Sequence, residues 1–158
     1  MHLHLYVYSC GNCGNKFKSP ELPGHPYGRF LMRSASGEIA YLAAFEDKVF
    51  LEFREMSYKN KVFLKIHELS KSDVLQGIFG KACDPATDNT DFQIGRSPVC
   101  PECNTNNKLS WHETNPPELI EMNIKNVTHN LWATLSRNEK EIVLNNAIQS
   151  FLKEKKIK

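Results

Sequence analysis

The sequence predicts an α+β fold with a mixed or antiparallel sheet, a folded insertion and a C-terminal amphipathic helix. Three observations lead to this prediction: alternating apolar residues near the N terminus, two widely separated Cys-x-x-Cys pairs, and a helical apolar period near the C terminus. The chain has 158 residues, of which 41% are hydrophobic. That length and apolar content suit one globular unit, so we expect residues 1–158 to form a single domain.

The N-terminal segment predicts a strand followed by a loop. Residues 2–8 alternate, with Leu3, Leu5 and Val7 on one side of the strand. Residues 15–26 contain three prolines and a glycine, a composition typical of an ordered, turn-rich loop. We therefore expect a strand that enters the first cysteine pair and a loop that leads away from it.

Residues 14–99 lie between the two cysteine pairs and form the predicted folded insertion. Within it, residues 29–33 and 38–45 predict a hairpin, because the turn sequence Ser-Ala-Ser-Gly separates two apolar, extended segments. Residues 48–56 fit one face of a helix and also one face of a strand, so the choice between them stays open.

The second half of the insertion predicts an alternating segment and then a helix. Val62, Leu64 and Ile66 repeat the period of two that indicates a strand. Either Ser70 or Ser72 can cap a helix, because apolar residues recur at helical spacing over positions 74–82.

The C-terminal part of the chain predicts two further extended segments and one long helix. Residues 108–111 and 118–127 carry the extended pattern. Ser136 and Glu139 have the spacing of a capping box, and an apolar stripe follows over positions 144–152, which predicts a helix over residues 136–156. The stripe favours packing against the protein's own core over an exposed docking helix.

The two Cys-x-x-Cys pairs carry the most specific chemical signal. They comprise Cys10 and Cys13 near the N terminus, and Cys100 and Cys103 in the second half of the chain. The fifth cysteine, Cys83, gives an odd count that is atypical of a secreted disulfide framework. Two such turns supply four thiolates, the tetrahedral set that Zn²⁺ prefers, so we expect these four cysteines to bind one structural zinc ion per chain.

Through Cys10-Gly11-Asn12-Cys13-Gly14 and Cys100-Pro101-Glu102-Cys103, the chain resembles the zinc-ribbon and rubredoxin-like families. The resemblance implies a zinc-ribbon-like core with two knuckles at the ends of β-hairpins and the metal between them. It carries over only the four cysteines as ligands. Two features depart from the compact pattern: 86 residues separate the pairs, and Asn104 stands where a second glycine is common.

Three other interpretations of the cysteines stay open. Iron binds the same set of four thiolates and is the alternative metal. A thioredoxin-like redox pair needs a helix after the cysteines, whereas the residues that follow Cys13 and Cys103 have no helical periodicity. Ordinary thiols, the third interpretation, require two coincident spacings.

Charge and hydropathy restrict the classes of partner. Twenty basic and 18 acidic side chains give a formal charge of +2, which excludes a highly basic nucleic-acid-binding tail. No apolar run approaches the stretch of about 20 residues needed to cross a bilayer, so we expect no membrane partner and a cytoplasmic location. Nucleic acid is an alternative partner, through four cations that lie close to aromatic residues: Lys16, Lys18, Arg29 and Arg33.

No familiar catalytic motif occurs in the chain, and we predict no catalytic residue. The phosphate-binding and dinucleotide-binding glycine patterns, His-Glu-x-x-His and Gly-x-Ser-x-Gly are all absent. We therefore expect a structural-zinc protein that acts as an interaction or adaptor module for a protein partner of unknown identity. Nucleic-acid binding is the first alternative, and an enzyme with a site in the insertion is the second.

Overall fold

The computed structural model describes residues 1–156, which form two antiparallel sheets and a helical layer. The strands are β1 (His2–Cys10), β2 (Lys16–Glu21), β3 (Arg29–Arg33), β4 (Ile39–Ala43), β5 (Lys108–Glu113) and β6 (Leu119–Glu121). The helices are α1 (Lys48–Ser57), α2 (Lys61–Leu64), α3 (Glu68–Ile78), α4 (Asn130–Thr134) and α5 (Arg137–Lys155), with a 3₁₀ turn at Phe79–Ala82. The predicted α+β class is confirmed.

Strand β1 lies at the centre of the first sheet. It pairs antiparallel with β2 along one edge, and with β5 and β6 along the other. Tyr8 lies opposite Phe17 of β2 and Trp111 of β5, so the three aromatic rings share one face of the sheet. Tyr6 and Cys10 are buried on the same face of β1. The sheet therefore joins the two halves of the chain next to the first cysteine pair.

Strand β2 occupies a segment that the sequence predicts as a loop. Residues 16–21 pair with residues 4–9 of β1 at six successive positions. Pro20 is accommodated because β2 is an edge strand, where a missing N–H need not interrupt the sheet. Tertiary pairing with β1 thus overrides the local composition, and the irregular part of the segment begins only after Glu21.

Strands β3 and β4 confirm the predicted hairpin and form a separate two-stranded sheet. Two hydrogen bonds close the turn: Ser34 N–H donates to the Glu38 carbonyl at 2.9 Å, and Gly37 N–H donates to the Ser34 carbonyl at 3.2 Å. Gly37 has a φ of +92°, a backbone conformation that favours glycine. The hairpin contributes Met32 and Leu42 to the main hydrophobic core.

The open choice for residues 48–56 resolves to helix α1. The Asp47 side chain accepts a hydrogen bond from Phe50 N–H at 2.8 Å and caps the helix, while Phe53 is fully buried. The predicted strand at residues 62–66 is wrong, because Asn60 caps the short helix α2 there and turns Phe63 into the core.

Helix α3 begins earlier than either predicted serine cap. Its N-cap is His67, whose ring nitrogen accepts from Leu69 N–H at 3.3 Å, so Ser70 and Ser72 lie inside the helix. Farther along the chain, only Leu119–Glu121 of the predicted extended segment 118–127 pairs as a strand.

Helix α5 confirms the predicted C-terminal helix and its capping box. The Ser136 hydroxyl accepts from Glu139 N–H at 3.2 Å, and the Glu139 carboxylate accepts from Ser136 N–H at 2.6 Å. Leu144 and Ile148 are fully buried in the core that α5 shares with α3, so the apolar stripe packs against the protein itself. Among residues 1–156, no helix is both long enough and apolar enough to span a membrane.

Candidate metal centre

The four cysteines of the two Cys-x-x-Cys pairs converge at one end of the first sheet. Their Sγ atoms all lie within 4.8 Å of one another. The Sγ atoms of Cys10 and Cys103 are 3.5 Å apart, and those of Cys13 and Cys100 are 3.7 Å apart. Four sulfurs at about 2.3 Å from a central zinc ion form a tetrahedron with edges of about 3.8 Å. The cluster therefore has the dimensions of a four-thiolate metal site.

The two cysteine pairs lie in turns of the same construction. Gly14 N–H donates to the Cys10 carbonyl at 3.0 Å, and Asn104 N–H donates to the Cys100 carbonyl at 2.9 Å. Gly14 has a φ of +75° and Asn104 a φ of +57°. Asparagine is one of the few non-glycine residues that adopts this left-handed conformation readily, which explains how the second turn forms without the second glycine.

Strand pairing brings the two turns together across the 86 intervening residues. Gly11 N–H donates to the Asn107 carbonyl at 2.7 Å, and Cys10 lies opposite Lys108 where β1 pairs with β5. The first turn joins β1 to β2 as a hairpin, as the family resemblance implies. The second turn leads into β5, but no strand within residues 1–156 directly precedes it, so the second half of the site is not a hairpin.

Polar side chains next to the cysteines lie within hydrogen-bonding distance of the sulfurs. The Asn15 amide nitrogen lies 3.9 Å from the Cys100 Sγ. The Thr105 hydroxyl lies 3.2 Å from the Cys103 Sγ and 3.7 Å from the Cys10 Sγ. Asn15 and Thr105 each come directly after the residue of their turn that has the left-handed backbone conformation. Because the two turns have the same spacing, this position can be found in the sequence once the turns are recognised as equivalent. Hydrogen bonds of this kind orient thiolates and stabilise their charge.

The surroundings of the thiols shift the pKa values of Cys103 and Cys13 in opposite directions. Hydrogen bonds, first from the Thr105 side chain, lower the pKa of Cys103 to about 5. A backbone hydrogen bond from Asn15 lowers the pKa of Cys13, but desolvation and the neighbouring thiols outweigh it and raise this pKa to about 12. The cluster thus favours ionisation at Cys103 and disfavours it at Cys13, where burial and hydrogen bonds among the thiols stabilise the protonated form. A divalent cation at the centre stabilises all four as thiolates.

Burial differs among the four sulfur-bearing residues. Cys10 and Cys100 are buried, Cys103 is half-buried and Cys13 is exposed, so one side of the cluster faces solvent. Cys83 lies outside the cluster: it follows the 3₁₀ turn, is buried in the main core, and its Sγ lies 3.9 Å from the Phe79 carbonyl oxygen. Burial raises the pKa of the Cys83 thiol, so this residue packs in the core as a small apolar side chain.

The structure separates the four cations that the sequence offers for nucleic-acid binding. Lys16 and Lys18 lie on β2, and the Lys18 ammonium lies 2.7 Å from the Glu118 carboxylate. Arg29 and Arg33 lie on β3 and line a cleft between the first sheet and the insertion. The four side chains therefore lie on two different strands.

Carboxylates pair with both arginines of this set. Arg33 is 4% exposed, and its Nη2 lies 2.7 Å from the Glu21 carboxylate. Arg29 lies 3.6 Å from the Glu46 carboxylate and is exposed to solvent. Pairing with acidic groups lowers the net charge that these residues offer to a polyanion.

The contact between His129 and Asp47 is a polar feature that the sequence does not predict. His129 Nε2 lies 2.9 Å from Asp47 Oδ2, and its Nδ1 lies 2.6 Å from the Ala82 carbonyl oxygen. Burial lowers the pKa of His129, but the hydrogen bonds to Asp47 and to Ala82 outweigh it and raise this pKa. Since acceptors face both ring nitrogens, the imidazolium joins the start of α1 to the end of the 3₁₀ turn.

Searches among models of protein families, among curated proteins and among solved structures each found no match to this chain. The functional argument therefore depends on the geometry of the four-cysteine cluster and of its surroundings.

Proposed function

We propose that this protein binds one zinc ion through Cys10, Cys13, Cys100 and Cys103, and that the zinc-bound unit acts as an interaction module for a protein partner. The observation that carries the proposal is the convergence of four Sγ atoms within 4.8 Å from turns at distant positions in the chain. Four thiolates complete a tetrahedral shell and leave no coordination position for water or substrate, which is typical of a structural zinc site.

Zinc is favoured over iron, although both metals accept four thiolates in a tetrahedron. Rubredoxin-type iron serves electron transfer in small proteins, whereas here a folded insertion of about 86 residues separates the ligand pairs. Zn²⁺ has no redox chemistry and fits a role that only holds the chain together. Elemental analysis distinguishes the two metals, and a ferric site would also give visible thiolate-to-metal absorption.

The proposed zinc ion would hold β1 to the segment that leads into β5. Strands β5 and β6 lie outside β1 in the sheet and are short, and nearly all their residues are exposed. We expect these strands to separate when the metal is removed, because the free energy of metal binding contributes directly to folding at such sites.

Exposed leucines on the outer strands support the proposed interaction role. Leu109 of β5 is 78% exposed and Leu119 of β6 is 67% exposed. A sheet edge that carries exposed apolar side chains suits the addition of a strand from a protein partner, with backbone hydrogen bonds for affinity and side chains for specificity.

Elemental analysis of the natively purified protein tests the metal assignment. We expect one zinc ion per chain in the wild type and in Cys83→Ser, and loss of the metal in Cys103→Ser. Cys83→Ser is the matched control because it removes a thiol outside the cluster. A wild-type protein that is fully folded without metal would contradict the proposal.

Affinity purification of the tagged protein from its native cells tests the interaction role. The comparison uses the double variant Leu109→Ser/Leu119→Ser and the control Leu69→Ser, which changes an equally exposed leucine on α3. We expect one protein to be retained by the wild type and the control, and to be lost with the double variant and with Cys103→Ser. Equal retention by the double variant would overturn the assignment of this surface.

A further inference from the structure

A second group of charged and aromatic side chains lies beside the four-cysteine cluster, in the cleft between the first sheet and the β3–β4 hairpin. The cleft has a volume of about 280 Å³. Four cationic side chains and one carboxylate line it, so its formal charge is +3 in a chain whose total is +2. The cations are Arg29, Arg33, Arg96 and Lys108, and the carboxylate is that of Glu21. This concentration of positive charge selects an anionic ligand.

Aromatic rings form one wall of the cleft. Trp111 is 39% exposed, and its ring lies 6.0 Å from that of Tyr8 with an angle of 17° between the planes. The His25 ring packs edge-on against Trp111 at 5.2 Å. These contacts hold the indole in place. The Lys108 ammonium lies over the ring at 4.9 Å, at the end of a long side chain that would move aside for a planar ligand to stack there.

A buried polar network forms the floor of the cleft. The Arg33 Nη2 donates to the Glu21 carboxylate and to the Pro20 carbonyl, both at 2.7 Å, and the Tyr8 hydroxyl donates to the same carboxylate. The Arg33 Nε is buried and has no hydrogen-bond partner among residues 1–156. Unsatisfied buried N–H groups are uncommon in folded proteins. Because this Nε has almost no accessible surface, a ligand in the cleft would contact the more exposed cations.

Two cations of the cleft are available to a ligand. The Lys108 ammonium lies 4.9 Å from the centre of the Trp111 ring, and one Arg96 nitrogen donates to the Asp91 carbonyl at 3.2 Å. Within the described part of the chain, neither side chain forms an ion pair, in contrast to Arg29 and Arg33. Lys108 and Arg96 therefore keep their full charge next to the exposed indole.

We propose that this cleft binds a nucleotide, with its base stacked on Trp111 and its phosphate bound by Arg96 and Lys108. A planar base matches the open indole, and a phosphate dianion matches the guanidinium and ammonium donors. A cleft of about 280 Å³ is just below the usual range for small-molecule sites, so it can hold one nucleotide at most. The nucleotide is either free in solution or the phosphorylated terminus of a single strand. The proposal does not depend on which metal the cysteines bind.

Isothermal titration calorimetry of the full-length protein tests the proposal. The probes are adenosine 5′-monophosphate, adenosine, inorganic phosphate and a 5′-phosphorylated single-stranded hexanucleotide. We expect saturable binding of adenosine 5′-monophosphate, with affinity at least about tenfold above that of adenosine or of phosphate, because the site uses both stacking and charge. The hexanucleotide distinguishes the two sources: affinity about tenfold above that of the mononucleotide assigns a strand terminus, and equal affinity assigns the free nucleotide.

Charge-removing variants assign the binding to the cleft. Arg96→Gln and Lys108→Gln should each lower the affinity for the tighter-binding probe about tenfold, whereas Lys48→Gln should leave it unchanged. Lys48→Gln is the matched control, because it removes an exposed cation of α1 that does not line the cleft. Thermal unfolding of each variant shows that the fold is retained. The proposal is overturned if neither nucleotide probe binds at about 5 mM, or if Lys48→Gln weakens binding as much as the cleft variants.

Discussion

Gly14 and Asn104 occupy equivalent positions in the two cysteine turns, and both have left-handed backbone conformations, with φ of +75° and +57°. In each turn the N–H of this residue donates to the carbonyl of the first cysteine of the pair. The two halves of the proposed metal site are therefore built on the same backbone plan with different residues at the critical position.

The equivalence of these two positions predicts the effects of substitutions at Gly14. Gly14→Ala should lower the free energy of unfolding of the metal-bound protein by about 1 to 2 kcal/mol, because an L side chain is strained at positive φ. A Cβ at this position would meet no atom within 4 Å, so the cost is confined to the backbone. Gly14→Asn should cost less than Gly14→Ala, because Asn104 already adopts this conformation. Chemical denaturation of the three proteins measures the difference, and equal stability of both variants would contradict the prediction.

We predict that the Thr105 hydroxyl contributes measurably to the affinity of the cluster for the metal. It lies within hydrogen-bonding distance of the sulfurs of Cys103 and Cys10, and it lowers the pKa of Cys103. Thr105→Val removes this donor at nearly constant volume and should weaken zinc binding about tenfold or more. Thr105→Ser keeps the hydroxyl and is the control. Competition with a chromophoric chelator measures both affinities, and wild-type affinity in the valine variant would rule out this role of the hydroxyl.

The local signals of the sequence predict the elements whose structure depends on adjacent residues. The capping box of Ser136 and Glu139 forms as predicted, and the hairpin at residues 29–43 follows from its turn. Both structures are specified by residues within a few positions of one another. The spacing of the cysteines is equally local within each pair, which is why the four thiols are identifiable before any tertiary structure is known.

The features that the sequence does not predict depend on distant contacts. Strand β2 forms because β1 offers an edge to pair with, although its own composition indicates a loop. The cleft beside the metal centre combines Trp111 and Lys108 with residues of the β3–β4 hairpin and the loop around Arg96. No periodicity or motif connects these segments. The pairing of β1 with β5, the bridge between Arg33 and Gln93, and the hydrogen bonds from Arg33 to β2 bring them together.

Gly80 lies at a position in the 3₁₀ turn where the surrounding atoms leave no room for a side chain. A Cβ added there would lie 2.0 Å from the Phe92 carbonyl oxygen, a backbone atom that cannot move without disturbing the adjacent chain. Gly80→Ala should therefore lower the free energy of unfolding by about 3 kcal/mol or more, as expected for overpacking of a rigid site. Thermal and chemical unfolding measure the change.

Gly77→Ala is the matched control for Gly80→Ala. A Cβ at Gly77 would lie 2.1 Å from the ring of Phe151, but this ring is a half-buried side chain that can rotate away. Alanine also gains about 1 kcal/mol of helix propensity over glycine, which offsets part of the strain. We expect Gly77→Ala to be at least about 2 kcal/mol more stable than Gly80→Ala, and the reverse order would contradict this distinction between side-chain and backbone contacts.

The His129–Asp47 contact predicts a stability that depends on pH on both the alkaline and the acidic side. The pKa of His129 is raised in the folded protein, so its stabilising contribution is fully present below the ordinary histidine value of 6.5 and is lost as the pH rises through the folded pKa. Burial alone would raise the pKa of Asp47, but hydrogen bonds, first from His129, lower it below 3.8. The contribution of Asp47 is therefore present above pH 3.8 and is lost as the pH falls through the lowered pKa.

His129→Gln should lower the free energy of unfolding by about 2 kcal/mol near pH 6 and should remove the alkaline part of this dependence. Urea denaturation from pH 5 to pH 9 measures the loss of stability and the alkaline pH dependence, and His112→Gln, which changes an exposed histidine of β5, is the control. The contrary result is a wild-type stability that does not decrease between pH 6 and pH 8 and that has the same pH dependence as in His129→Gln. It would show that the imidazolium does not join α1 to the 3₁₀ turn.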